Sequence, residues 1–157
     1  MKVLHPPQIG LMCGDIDEMV RFYTEGLGLP LIQDRLQPAG MDRFVYIVGM
    51  GTSFLKLWGF DQKPWSRSLP PRGPEGRADQ LGLRYLTIMI GDDVGAVCDR
   101  LESLGFAVPE RGHRGRTGFP VTVAFVQDPD GNWLELMQLD DPDWWPYERP
   151  AEEASTR

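Results

Sequence analysis

The chain has 157 residues, of which 41% are hydrophobic and 25% are charged, so it is expected to fold around a core rather than stay disordered. The 16 Lys and Arg against 23 Asp and Glu give a net charge of −7, which argues against a nucleic-acid partner. No apolar run reaches the roughly eighteen residues of a membrane helix, and the start lacks a secretory signal. We therefore expect a cytoplasmic protein without a membrane partner, its two cysteines (Cys13 and Cys98) being reduced core thiols.

The first predicted elements are a strand and a helix. Apolar residues alternate from Ile9 to Cys13, which is typical of a strand. Asp15 then precedes apolar residues at helical spacing, with Glu18 at the distance of a capping box, and Gly28 suits the left-handed position that ends a helix. Strands are predicted next at Leu31–Arg35, Arg43–Val48 and Phe54–Leu57.

The same series of elements returns later in the chain. Residues 85–108 repeat residues 8–31 at a constant offset of 77, which sets Asp92 as the second helix cap and Gly105 as its end. Residues 133–136 repeat residues 54–57 at an offset of 79. The remaining predicted strands are Ala107–Glu110 and Pro120–Gln127, the latter closed by the turn Asp128–Gly131. Each copy therefore reads βαβββ.

The predicted organisation is one α+β domain of two tandem modules. Module one covers residues 7–60, a Pro- and Gly-containing linker 61–82, module two 83–139, and an acidic tail with aromatic residues 140–157. A four-stranded module of this kind buries one sheet face, so the two copies are expected to pack as one globule.

Two segments carry a family resemblance over residues 7–139. The first helix ends in FYTEGLGLP and the last hairpin reads DPDGNWLEL, and in this context both resemble the vicinal oxygen chelate superfamily. Its members include glyoxalase I, methylmalonyl-CoA epimerase, extradiol dioxygenases, and fosfomycin- and bleomycin-resistance proteins. The resemblance implies that the sheets form a half-open, cup-shaped mixed sheet, with a divalent metal on the first and last strands of each module. By motif, those positions are Gln8, Lys56, Tyr85 and Glu135.

These four residues depart from the family's metal ligands, which are His or Gln, Glu, His and Glu. Gln8 and Glu135 are acceptable oxygen donors, but Tyr85 is a poor ligand and Lys56 places an ammonium beside the cation. We therefore expect no cofactor. A divalent metal held by Gln8 and Glu135 is the alternative, with a missing ligand supplied by His5 or His113.

The same residues suit proton transfer instead. Alternation places them on one face of their strands, where Lys56 and Glu135 are predicted to pair as a salt bridge. Glu135, Lys56, Tyr85 and Gln8 are then the catalytic candidates, with Glu135 as base and Tyr85 as a second donor. Alternatively, the Lys56–Glu135 pair only plugs a cavity that has lost its chemistry.

Large side chains share those faces and are interpreted as substrate-binding walls, with plain core packing as the alternative. They are Met12, Phe54, Trp58, Met89, Trp133 and Met137. Such a cup favours a small apolar or aromatic substrate. Arg114, in the basic segment 111–116, is a candidate for binding a substrate carboxylate or phosphate, although solvated surface charge would give the same sequence.

Three functions follow as hypotheses. The first is a metal-independent isomerase, epimerase, lyase or cyclase acting on a carbonyl compound. The second is a protein that sequesters a ligand, as bleomycin-resistance proteins do. The third is a metal-dependent lyase, epimerase or dioxygenase. The sequence leaves a homodimer open.

Overall fold

The structure is a computed structural model that describes residues 6–61, 85–114 and 120–141. Nearly all of the predicted linker and tail lie outside these ranges, as do His5 and the side chain of Arg114. No helix in the described ranges is long and apolar enough to cross a membrane.

Module one forms a four-stranded mixed sheet in the order β1-β4-β3-β2. β1 runs parallel to β4, and the other neighbours are antiparallel. Its elements are β1 (Ile9–Met12), α1 (Ile16–Arg21) with a π-helical turn (Phe22–Gly26), β2 (Leu31–Leu36), β3 (Arg43–Met50) and β4 (Ser53–Phe60).

Module two repeats this arrangement in the order β5-β8-β7-β6, again with one parallel pair, β5 with β8. Its elements are β5 (Leu86–Ile90), α2 (Val94–Ser103), β6 (Glu110–Arg114), β7 (Val121–Gln127) and β8 (Trp133–Leu139). The predicted α+β fold of two βαβββ modules is confirmed.

The helix ends follow the predicted chemistry with one exception. The Asp15 carboxylate caps α1 by accepting from Glu18 N, and Gly28 and Gly105 adopt positive φ values of 73° and 86°. The cap of α2, however, is Asp93 rather than Asp92, because Asp93 lies directly before the helix and accepts from Ala96 N at 2.8 Å.

The second strand of module two begins later than the sequence predicts. Ala107 O accepts one bond from Gln127 N, but Pro109 has no N–H with which to continue a ladder. Regular pairing with β7 therefore begins at Glu110 instead of covering Ala107–Glu110.

One hydrophobic core joins the two modules. The inner strand residues Leu55 and Leu57 of β4, together with Leu134 and Leu136 of β8, are fully or almost fully buried around α1 and α2. Cys13 and Cys98 lie in this core as free thiols, as predicted. Burial, with Asp130 and Asp128 nearby, raises the pKa of Cys13 to about 12, so its thiol stays protonated at neutral pH.

The modules also exchange polar contacts on this helix side. The Arg21 guanidinium donates to Leu104 O at 2.7 Å, and Arg100 Nε donates to Gly26 O at 2.7 Å. Gly14 N donates to the Asp130 carboxylate at 2.8 Å. These three bonds each join a residue of module one to a residue of module two. The two helices therefore lie on the side of each sheet that faces the other module.

A buried carboxylate anchors the last hairpin to module one. Asp128 accepts from Tyr23 OH at 3.0 Å, from the backbone and side chain of Asn132 at 2.8 Å each, and from Asp130 N at 3.1 Å. Burial raises the pKa of Asp128, while the donors from Asn132 and Tyr23 act in the opposite direction. Ionisation of this group therefore opposes folding.

This carboxylate predicts a pH-dependent difference between the wild type and Asp128→Asn. A raised folded pKa contributes stability that is present below the unfolded value of 3.8 and is lost as pH rises through the folded value. The unfolding free energy of the wild type, relative to Asp128→Asn, should therefore fall between pH 4 and pH 7. Urea denaturation followed by circular dichroism at both pH values measures it, and a difference that grows with pH would contradict the assignment.

Candidate functional site

The first candidate surface is the face of the module-one sheet that points away from the core. Because Leu55 and Leu57 point into the core, their neighbours Phe54, Lys56 and Trp58 point the other way. A Cβ placed on Gly10 would lie 3.5 Å from Trp58 Nε1, so the indole covers that glycine. We call this surface the first face; its members are Gln8, Gly10, Met12, Phe54, Lys56, Trp58, and the β3 residues opposite β4, Arg43, Val45 and Ile47.

The corresponding surface of module two is the second face. Glu135 lies opposite Thr87 of β5 and Phe125 of β7, and all three share this face. Thr87 Oγ1 donates to Glu135 Oε2 at 2.6 Å, which orients the half-buried carboxylate. The other members are Tyr85, Met89, Trp133, Met137, Glu110 and His113.

Aromatic rings form a wall beside Glu135. Tyr85 and Phe125 meet edge to face with ring centroids 5.7 Å apart, and Phe125 meets Trp133 at 6.4 Å. The indole nitrogen of Trp133 is buried, and no hydrogen-bond acceptor for it is found among the described residues. A buried N–H without a partner is costly, so a ligand acceptor that came within reach of it would relieve that cost.

The two faces remain separate within one chain. No strand of the module-one sheet pairs with a strand of the module-two sheet over the described residues. The ion pair predicted between Lys56 and Glu135 is absent from the described part of the chain, where Glu135 instead accepts from Thr87. The reason is that the modules join through their helix sides, so each face points away from the shared core. Gln8 therefore shares a face with Lys56, and Tyr85 with Glu135.

The charges of the two faces are opposite. The first face presents Lys56 and Arg43, whereas the second presents Glu135 and Glu110, the latter 3.7 Å from His113 Nδ1. Large apolar groups remain exposed on both, since Met12 is 45% exposed, Phe54 36%, and Tyr85 and Met89 37% each. Two such surfaces are complementary to each other.

The residues at the four family positions do not suit a divalent cation. Lys56 offers an ammonium and Tyr85 a phenol, and the Glu135 oxygen Oε2 already accepts from Thr87. Gln8 and Glu135 are the two acceptable donors among the four positions, and the described residues contain no cluster of three His, Cys, Asp or Glu side chains that could hold a metal. The donor set thus does not fit the family's metal.

Several residues of the faces were not predicted as site residues. Arg43 and Phe125 lie on β3 and β7, and their placement depends on the cross-strand register, which strand periodicity alone does not give. His113, which the sequence offered only as an alternative metal ligand, lies within β6, opposite Val123. The backbone of Arg114 pairs with Thr122, while its side chain lies outside the described residues, so its binding role stays a prediction.

Comparison with known proteins gives one consistent family. The profile of the Glyoxalase/Bleomycin resistance protein/Dioxygenase superfamily matches residues 5–136. A probable lactoylglutathione lyase of Vibrio cholerae is 30% identical, with 87% of this chain and 90% of the relative covered. One from Vibrio parahaemolyticus is 28% identical, with 87% and 90% covered.

A solved structure shows the same fold. Glyoxalase I from Zea mays superposes with a TM-score of 0.65 at 22% identity, covering 85% of this chain and 44% of the maize chain. The profile covers most of this chain, and the paired βαβββ modules agree with it. The chain therefore belongs to the Glyoxalase/Bleomycin resistance protein/Dioxygenase superfamily.

Proposed function

We propose that this protein is a metal-independent enzyme that moves a proton on a small carbonyl compound, in an isomerisation, epimerisation, lyase or cyclisation reaction. The observation that carries the proposal is the equivalence of Lys56 and Glu135. They occupy corresponding positions on β4 and β8, beside the first strand of each module, and supply an ammonium and a carboxylate where the family places metal ligands.

The two groups have complementary roles. With Oε2 held by Thr87, the Oε1 atom of Glu135 is left to take a proton from the carbon next to a carbonyl. The electron pair of the broken C–H bond moves to the carbonyl oxygen, where the Lys56 ammonium stabilises the negative charge. The buried Trp133 N–H and the Tyr85 hydroxyl are further donors on the face of Glu135. Return of the proton to a different carbon or a different side completes an isomerisation.

We further propose that each site combines the first face of one chain with the second face of another, as a homodimer. The exposed apolar residues of both faces would then be buried, and the cationic face would meet the acidic one. This arrangement also brings Lys56 and Glu135 together, which the helix-side packing of one chain does not do.

Ligand sequestration is the second candidate. The observation in its favour is the aromatic wall of Tyr85, Phe125 and Trp133, which can hold a flat apolar ligand without any reaction. An aromatic ligand that binds wild type tightly, while no carbonyl compound exchanges its α-proton, would replace the enzymatic proposal with this one.

The site assembly predicts complementation between two inactive variants. Lys56→Met and Glu135→Gln should each be inactive alone, but coexpressed with different tags they should recover about one quarter of wild-type activity, because half of the dimers are mixed and each mixed dimer holds one intact site. Activity is measured by proton NMR as exchange of α-protons of aryl ketones in D₂O, after dialysis against EDTA.

A matched control uses the Lys56→Met/Glu135→Gln double variant coexpressed with wild type. If sites span two chains, mixed dimers are inactive and about one quarter of the activity remains, whereas sites within one chain leave about one half. Recovery of no activity by the two single variants would contradict the shared site. Loss of wild-type exchange on EDTA treatment would contradict metal independence.

A further inference from the structure

Two buried side-chain polar atoms lack a hydrogen-bond partner in the described ranges, and both belong to the candidate site. One is Trp133 Nε1 on the second face, and the other is Arg43 Nε on the first face. A buried donor without a partner is costly, and native proteins leave few of them. Their position on the two surfaces proposed to meet a ligand suggests that the missing partners are ligand atoms.

The Arg43 side chain lies at one end of the first face, beside Trp58. Arg43 is opposite Phe60 in the β3–β4 ladder, and its Cζ atom is 5.5 Å from the centre of the Trp58 ring. Trp58 in turn covers Gly10. The backbone of Arg43 is thus four residues from the level of Lys56, which is about 13 Å along a strand. Its guanidinium lies near the indole of Trp58, which is two residues from Lys56.

Among the arginines whose side chains the structure describes, Arg43 and Arg100 have no described carboxylate within ion-pair distance, and Arg100 is instead satisfied by donating to Gly26 O. Arg35 pairs with Asp61 at 2.5 Å, and Arg111 pairs with Glu102 at 3.1 Å, whereas no carboxylate of the described part lies within ion-pair distance of Arg43. Arg35 also stacks on an aromatic ring, that of Phe44 at 3.6 Å, yet its charge is matched. Arg43 thus combines a stacked guanidinium with a charge that no carboxylate of residues 6–61, 85–114 or 120–141 pairs with.

We propose that Arg43 binds a carboxylate of the substrate, which places the substrate among carbonyl compounds carrying a second, anionic group. The planar fork of a guanidinium matches a carboxylate with two parallel hydrogen bonds. The spacing from Lys56 sets the carboxylate several bonds away from the reacting carbonyl, with the body of the substrate against Trp58. This inference rests on the proposed function for the location of the reacting carbonyl, but carboxylate binding itself needs no turnover.

The test compares γ-benzoylbutyrate, an aryl ketone with a remote carboxylate, with its uncharged amide. Wild type should bind the acid at least about tenfold more tightly than the amide by isothermal titration calorimetry. Arg43→Met should lose most of this preference, and Arg43→Lys should retain part of it. Arg35→Met is the matched control, because it removes a stacked arginine whose charge is already paired, and it should keep the full preference.

Equal affinity of wild type for the acid and the amide would overturn the proposal, as would absence of binding at millimolar concentration. A preference that survives in folded Arg43→Met would also overturn it, and circular dichroism establishes folding. If Arg43→Met does not fold, Arg43→Gln is measured instead. Loss of the preference for the acid over the amide in that variant supports the proposal, and retention of the preference overturns it. The measurement repeated in Glu135→Gln separates the two proposals, since the carboxylate preference should persist there without catalysis.

Discussion

Replacing Glu135 by Gln is expected to lower turnover by about 10²- to 10⁴-fold, which is the usual contribution of a general acid–base group. Glutamine keeps the size of the side chain and still accepts from Thr87, but it cannot take a proton. Ligand affinity should therefore change little. The rate of α-proton exchange and the dissociation constant of the same ketone, measured on the same preparation, report the two effects separately.

A matched control for this substitution is Glu102→Gln. Glu102 is an exposed carboxylate on α2 that pairs with Arg111, on the opposite side of the module-two sheet from Glu135. Its replacement should leave the exchange rate unchanged. A loss below about tenfold in Glu135→Gln would place the base elsewhere on the two faces.

Replacing Phe22 by Ala is expected to lower the free energy of unfolding by about 3–5 kcal/mol, as for other buried phenylalanines. Phe22 is fully buried, and its ring meets those of Tyr23 and Phe106 edge to face, each with centroids 5.1 Å apart. Because Phe106 belongs to module two, the substitution opens a cavity at the junction of the modules. Urea denaturation at a fixed protein concentration measures the loss.

The control for the Phe22 substitution is Met41→Ala. Met41 is a large apolar residue that is 41% exposed, outside both helices and strands. Its replacement should change the unfolding free energy by no more than about 0.5 kcal/mol. Equal losses in the two variants would mean that the junction contributes no more than a surface contact.

The helices and strands could be predicted from the sequence because each has a local pattern of apolar residues or end-capping residues. The alternation around Leu55 and Leu134 separates core from face, and Asp15 and Gly28 mark the ends of the first helix. The α2 cap was predicted one residue early because two adjacent aspartates offer the same chemistry. The π-helical turn at Phe22–Gly26 was not predicted, since its apolar spacing resembles that of an α-helix.

The candidate site could be predicted only in part from the sequence, because the residues that form it depend on the strand register and on how the two modules pack. The sequence placed Lys56 and Glu135 on equivalent faces, and the strand pairing confirms those orientations. It did not show that the modules join through their helices, as the bonds of Arg21 and Arg100 do. That packing leaves the faces apart, so a salt bridge between them within one chain was the wrong expectation.

The side-chain alternation of β4 and β8 has an evolutionary consequence. Along each strand, every second residue, such as Leu55 in β4 and Leu134 in β8, packs in the core, while the intervening residues, such as Lys56 and Glu135, lie outside it. The residues of a strand that stabilise the fold are thus different from the residues that determine the chemistry of the site. A lineage with this architecture can exchange metal ligands for a lysine and a tyrosine without endangering its fold, and selection can explore new substrates at these positions one residue at a time.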